Sequence, residues 1–210
     1  MFGRQENKMK KIICVGFTMI LCMGLLSGCS KKTDVDTSTV FIEKKGKITS
    51  VDVEALDKDY YDEAELESYI TDHVNDYTSE NGNTVEMASF TVTDQVAKLQ
   101  MQYDSYEDYT AFNGIELYDG TVVEAEAAGY DFDTDFISAS DEDTKKVSKD
   151  DVLADDNNKV VIIKANVDVK VDGTILYVSK ENTKVTEKNK VSITGEGSAE
   201  EAALTYIIYK

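Results

Sequence analysis

The sequence predicts an α+β fold, a mostly antiparallel sheet with one long and one short helix and a β-rich C-terminal part. Three observations predict it. Runs of alternating apolar and polar residues recur between turn signals, and two segments carry helical spacing closed by capping residues. Strands and helices also lack the regular alternation that a doubly wound parallel sheet requires.

The domain begins near Thr39. Val40 to Glu43 and Lys47 to Val53 are β-prone runs flanking Lys44-Lys45-Gly46, which predicts an opening hairpin. In the long helix, Asp62 and Glu65 form an N-terminal capping pair, and Leu66, Ile70, Val74 and Tyr77 repeat at helical spacing before Asn81-Gly82 ends it. Thr84 to Val92 and Gln95 to Tyr103 follow as strands. The second places Ala97, Leu99, Met101 and Tyr103 on a buried face and Lys98, Gln100 and Gln102 on a wet one. Ser105 and Asp108 cap the short helix, which carries Tyr106, Tyr109 and Phe112 and stops at Asn113-Gly114. Ile115 to Ala127 reads as a strand pair or a bent strand interrupted at Asp119-Gly120. From Tyr130 to Asn158 apolar residues thin out and acids crowd together, the pattern of a long surface loop or insertion and the expected mobile region. Lys159 to Val171 and Thr174 to Ser179 flank Asp172-Gly173, a two-residue hairpin signal. Lys184 to Thr186 and Lys190 to Thr194 predict a further hairpin, and Leu204 to Tyr209 an apolar strand paired within the sheet.

Ahead of this domain, Arg4, Lys8, Lys10 and Lys11 precede an uncharged apolar stretch from Ile12 to Leu26, the layout of a secretion signal. The stretch is short for a permanent span, which needs about 20 apolar residues. Leu26-Ser27-Gly28-Cys29 then resembles the lipobox of bacterial lipoproteins. That resemblance implies a diacylglyceryl group on the Cys29 thiol and cleavage before it, so residues 1–28 are a signal peptide and 29–38 a lipidated tether. A single domain, 39–210, would then stand on the extracytoplasmic face of a cell membrane. Together with Asp57-Lys58-Asp59-Tyr60-Tyr61-Asp62 and the ending Tyr206-Ile207-Ile208-Tyr209-Lys210, the lipobox also resembles uncharacterised small lipoproteins of anaerobic Gram-positive bacteria. This second resemblance implies an address and no activity.

Two of the three cysteines, Cys14 and Cys22, lie in the leader and the third is the anchor, so the mature chain has no thiol for disulfides, redox work or metal. Removing residues 1–28 takes away four basic side chains and one acidic, moving the formal charge from −19 to about −22. Such a field repels nucleic-acid phosphates and favours calcium, cationic peptides or basic protein patches as partners. At 41% hydrophobic residues, with 12 tyrosines, the chain is too apolar to be disordered.

Three constellations are candidates for chemistry. Asp131, Asp133, Asp135 and Glu142 stand at positions 1, 3, 5 and 12 of an acidic stretch, where a calcium loop needs hard oxygen ligands. Phe136 replaces the glycine of such loops and Ser138 their aliphatic residue, which favours a solvated charged loop. His73, the single histidine, lies on the long helix near Asp72 and Asp76. No G-x-S-x-G nucleophile elbow accompanies it, so packing or surface contact is its expected role. Tyrosines 60, 61, 69, 77, 103, 106, 109 and 118 concentrate in the first half of the domain and fall mostly on predicted apolar faces. A phosphate loop, an H-E-x-x-H helix and a dinucleotide fingerprint are all missing. The sequence therefore points to a non-enzymatic module that binds or scaffolds an envelope component, catalytic residues none, with no cofactor unless calcium. A small-ligand or calcium-responsive sensor ranks second, and a carboxylate-based envelope hydrolase third.

Overall fold

A computed structural model describes residues 33–58, 61–140, 145–195 and 202–210. Two sheets stack face to face. The first has seven strands in the order β11-β12-β9-β1-β2-β4-β3. Its strands are β1 (Thr39–Ile42), β2 (Ile48–Ala55), β3 (Val85–Thr93), β4 (Val96–Tyr103), β9 (Asp168–Val171), β11 (Thr183–Glu187) and β12 (Lys190–Ile193). The second has six in the order β5-β8-β13-β10-β6-β7. These are β5 (Leu117–Thr121), β6 (Phe136–Ser138), β7 (Lys146–Val147), β8 (Lys159–Ile163), β10 (Ile175–Ser179) and β13 (Thr205–Tyr209). Every pairing is antiparallel except β1 with β9. Among the described residues the α-helices are α1 (Glu63–Asn81), α2 (Tyr106–Asn113), α3 (Val122–Ala127) and α4 (Lys149–Val152). The predicted class is the observed one.

Two cores explain why the later strands read as unbroken apolar runs. Val161, Ile163, Ile207 and Tyr209 face the first sheet, packing against Val40, Ile42, Val169 and Val191. Their neighbours Val160, Ile162, Tyr206 and Ile208 face the other way, against Val122, Ala125, Phe132, Phe136 and Val152. With both faces covered, β8 and β13 have no wet side on which polar residues would alternate.

The opening hairpin forms as predicted, with Ile42 opposite Ile48. Asp62 accepts from the Glu65 amide at the start of α1, and Ser105 from that of Asp108 at the start of α2. The hairpin of β11 and β12 and the pairing of the apolar strand β13 also follow expectation. Four expectations are corrected. Ile115 to Ala127 is neither a strand pair nor a bent strand. Asp119-Gly120 continues β5 through its pairing with β8, and Thr121 and Glu124 then form a reciprocal capping box that starts α3. Tyr130 to Asn158 is not a free loop, because Phe132, Phe136, Ile137 and Val152 are buried and β6 pairs with β10. Asp172-Gly173 is not a hairpin turn. It hands the chain from β9 in one sheet to β10 in the other, and neither residue has positive φ. The two-residue turn with left-handed φ is Asp94-Gln95, between β3 and β4. Finally, the wet face of β4 is partly covered. Gln100 is buried, and Lys98 is half-buried beneath the segment preceding β1.

That segment fastens to the sheet from Thr33 onward. The Thr33 amide donates to Gln100 Oε1 at 3.2 Å, and Lys98 Nζ lies 2.8 Å from Asp34 and 3.6 Å from Asp36. Thr37 Oγ1 donates to Asp168 at 2.8 Å, and the Val53 amide donates to Ser38 Oγ at 3.0 Å. The described part of the expected tether therefore lies across the outer face of the first sheet.

Candidate binding surface

The β3 end of the seven-stranded sheet combines backbone, grooves and charge. Among the described residues β3 is a terminal strand, paired with β4 on one side only. A register shift between Met87 and Ser89 leaves Ala88 without a ladder partner. An antiparallel edge strand presents about half its amides and carbonyls outward, unpaired within the sheet.

The inner face of this end is covered by α1, whose Ile70, Val74 and Tyr77 pack against the core while no residue of the helix is fully buried. One flank of α1 is turned toward α2, where Phe112 lies 4.6 Å from the His73 ring and 5.5 Å from that of Tyr77. Its other flank supplies Thr71, Val74, Asn75 and Thr78 to an open groove of about 420 Å³ completed by Asn83 and the first residues of β3. Asp108 ties these elements together, accepting from Thr84 Oγ1 at 2.7 Å, Ser105 Oγ at 2.7 Å and Tyr77 OH at 3.3 Å. On the outer face a second groove, of about 580 Å³, runs over Ser89, Thr91 and Thr93 of β3 and over Lys98 and Gln100, and is bounded by Thr33 and Asp34.

Electrostatically this end is one-sided. α1 carries Glu63, Glu65, Glu67, Asp72, Asp76 and Glu80 with no lysine or arginine, and Lys58 is the sole lysine or arginine between Lys47 and Lys98. Glu80 and Asp76 sit near the helix C-terminus, where the macrodipole disfavours negative charge. At the opposite end of the sheet both signs occur: β11, β12 and β9 carry Lys184, Lys190 and Lys170 with Glu187 and Asp168, and Lys170 pairs with Glu187 and Lys190 with Asp168.

The sequence-derived candidates separate. Asp131, Asp133 and Asp135 are exposed and do not converge. Asp131 accepts from the Asp133 amide at 3.0 Å, its carbonyl takes a hydrogen bond from Lys149 Nζ, and Asp135 pairs with Lys146 at 2.7 Å. Lys146 holds the Asp135 carboxyl below its usual range. Phe132, at φ 53°, and Phe136 turn inward between these acids and pack on Tyr206, so a buried strand, β6, starts where a calcium loop would make its sharp turn. Glu142 lies outside the described residues. Among the described residues no three His, Cys, Asp or Glu side chains are grouped to hold a metal ion. His73 is exposed, and its ring contacts are Tyr69 and Phe112.

The tyrosines are mainly structural, as expected. Tyr103, Tyr109 and Tyr118 are buried, and burial pushes the Tyr103 phenol up to about 12 despite hydrogen bonds with Ser50 and Asn113. Tyr61 and Tyr69 are exposed, whereas Tyr60 and Cys29 lie outside the described residues. Sequence reasoning found the strands and the helix of this surface and missed that β3 is an edge. The available signal was β3 itself, a nine-residue strand with one charge, Glu86. No protein-family model, curated protein or solved structure matches the chain.

Proposed function

We propose that this protein is a lipid-anchored module of the extracytoplasmic face of a bacterial membrane, tethered through Cys29, which binds a positively charged component of the envelope and performs no chemistry on it. The observation that carries the reading is the meeting, at one end of one sheet, of an open strand edge with a helix bearing six carboxylates and no ammonium group. Electrostatic attraction of this kind steers a cationic partner and weakens with salt. The lipobox supplies the address. From Cys29 to Thr33, the first described residue and one that bonds to the sheet, the chain is four residues long, at most about 14 Å when extended. Nucleic acid is disfavoured by the same charge.

Short-range crosslinking on intact cells tests this, with Cys29→Ser as the unanchored control. Reproducible capture of one basic envelope protein, lost in the control, is the expected result. Failure to capture any protein specifically would transfer the function to the second reading, a small-ligand sensor, which the outer groove of about 580 Å³ supports because its volume suits a small molecule. A calcium sensor requires convergence of the acids around Asp131, which Lys146 and Lys149 oppose. The melting temperature is expected to be the same in millimolar calcium as in chelator. A rise of several degrees with calcium would restore that variant.

A further inference from the structure

We propose that the outer edge of β3 is a strand-addition site whose occupant is an extended peptide segment bearing lysine or arginine side chains. This rests on the reading of the protein as a module for a cationic partner, and adds how the partner is held.

Four strands terminate the two sheets. β7 has two residues, and β5 has five, among them Asp119. β11 also has five residues and places Lys184 and Glu187 on its edge. Short length and charge are the means by which soluble proteins keep sheet edges from pairing with other chains. β3 differs, with nine residues and no charge from Met87 to Thr93. Its bulge at Ala88 interrupts the edge near one end and leaves Ser89 to Thr93 in regular register with β4.

Successive side chains of an added strand point to opposite faces. On one face they meet the groove between β3 and α1, floored by Val74, Val85 and Met87. On the other they meet the hydroxyl-rich groove over Ser89, Thr91 and Thr93. Main-chain hydrogen bonds supply affinity in this mode, and the alternating pockets supply selectivity. Charge selects the occupant. A second copy, paired antiparallel through β3, would bring two acid-only helices onto one face of the joined sheet, where like charges repel. A strand carrying ammonium or guanidinium groups on this face places them beside Glu86, which lines the groove, and within the field of the six carboxylates of α1.

The test is hydrogen exchange read by mass spectrometry on the full-length lipoprotein in neutral detergent, with the peptide Lys-Val-Lys-Val-Lys-Val-Lys as probe and its glutamate counterpart as control. The lysine peptide is expected to slow exchange across residues 85–93 by about tenfold or more, leaving the edges at β5 and β11 unchanged. Protection should weaken as salt is raised. Ala88→Pro, placed where proline is tolerated because the ladder has no partner there, should abolish the protection while leaving the melting temperature near that of the parent. Binding with protection confined to α1 would overturn strand addition and leave the cationic-partner reading standing. No binding even at low salt would overturn both. Protection of β3 that rises with protein concentration in the absence of peptide would assign the edge to a second copy and overturn the proposal.

Discussion

At Gly173 a β-carbon would stand 2.6 Å from the Lys210 carbonyl oxygen and 2.9 Å from Tyr209 Cδ2. The chains are this close because Thr174 and Lys210 exchange two backbone hydrogen bonds, of 2.8 and 3.0 Å. Gly173→Ala is therefore expected to cost about 1–3 kcal/mol, read as a lower urea midpoint. An unchanged midpoint would mean that the two segments separate at no cost. Asp-Gly was legible as a place where the chain turns, but turn chemistry is local and does not say which strand lies beyond. At Asp94-Gln95 the reverse holds. A true two-residue turn lacks the glycine that would announce it, and both residues accept left-handed φ, of 52° and 62°, so that the hairpin can close. Asp168 offers a pH signature. Burial alone would raise its carboxyl, yet hydrogen bonds from Lys190, Thr37 and Ser192 outweigh this and hold it below its ordinary value of 3.8. A lowered folded-state pKa means that the stabilisation is complete above 3.8 and is lost as pH falls through the folded value. Asp168→Asn is expected to melt below the parent at pH 7, by an amount worth about 1 kcal/mol, with the gap closing in acid. A gap that persists at pH 2 would place the effect in packing.

Helices were legible where their caps stand next to an apolar period, as with Asp62 before α1 and Ser105 before α2. α3 shows the limit. Its Thr121–Glu124 box was present in the sequence, but six residues are too few to display a helical period, and Val122-Val123 reads as strand. The stretch after Tyr130 was opaque for another reason. Tyr130, Phe132 and Phe136 alternate with acids, but neither period continues as far as Val152, and the burial of Phe132, Phe136 and Val152 depends on the far face of β8 and β13, which only the assembled sheet creates. Phe132→Ala is expected to destabilise by about 3–5 kcal/mol, measured by chemical unfolding, since its ring fills space against Phe136 and Tyr206. A cost below about 1 kcal/mol would return the segment to a loosely attached loop. α1 makes a different prediction. Glu63 and Glu65 in its first turn suit its macrodipole, but Asp76 and Glu80 near its C-terminus, with no basic residue in the last turn, oppose it. Glu80→Lys should raise the melting temperature, by an increment of about 0.3–1 kcal/mol, and weaken capture of a cationic partner. Weaker capture without the stability gain would show that the helix end is screened by solvent.

Across the whole molecule, the class was readable because alternation and caps are local signals, whereas the partition of strands between sheets was not. β9 and β10 are neighbours in sequence and belong to different sheets, and β1 finds β9 across more than a hundred residues to make the one parallel pair. The candidate surface shares that fate. Its acids are visible in the sequence, but the open edge beside them exists only through the strand order. β13 carries the same lesson into time. It lies between β8 and β10 with all five residues buried, and it follows every other strand of both sheets in the chain. A chain delivered N-terminus first therefore has no closed second sheet, and neither core is complete, until β13 arrives. A polypeptide built this way completes both of its cores together, when its last strand takes its place in the second sheet.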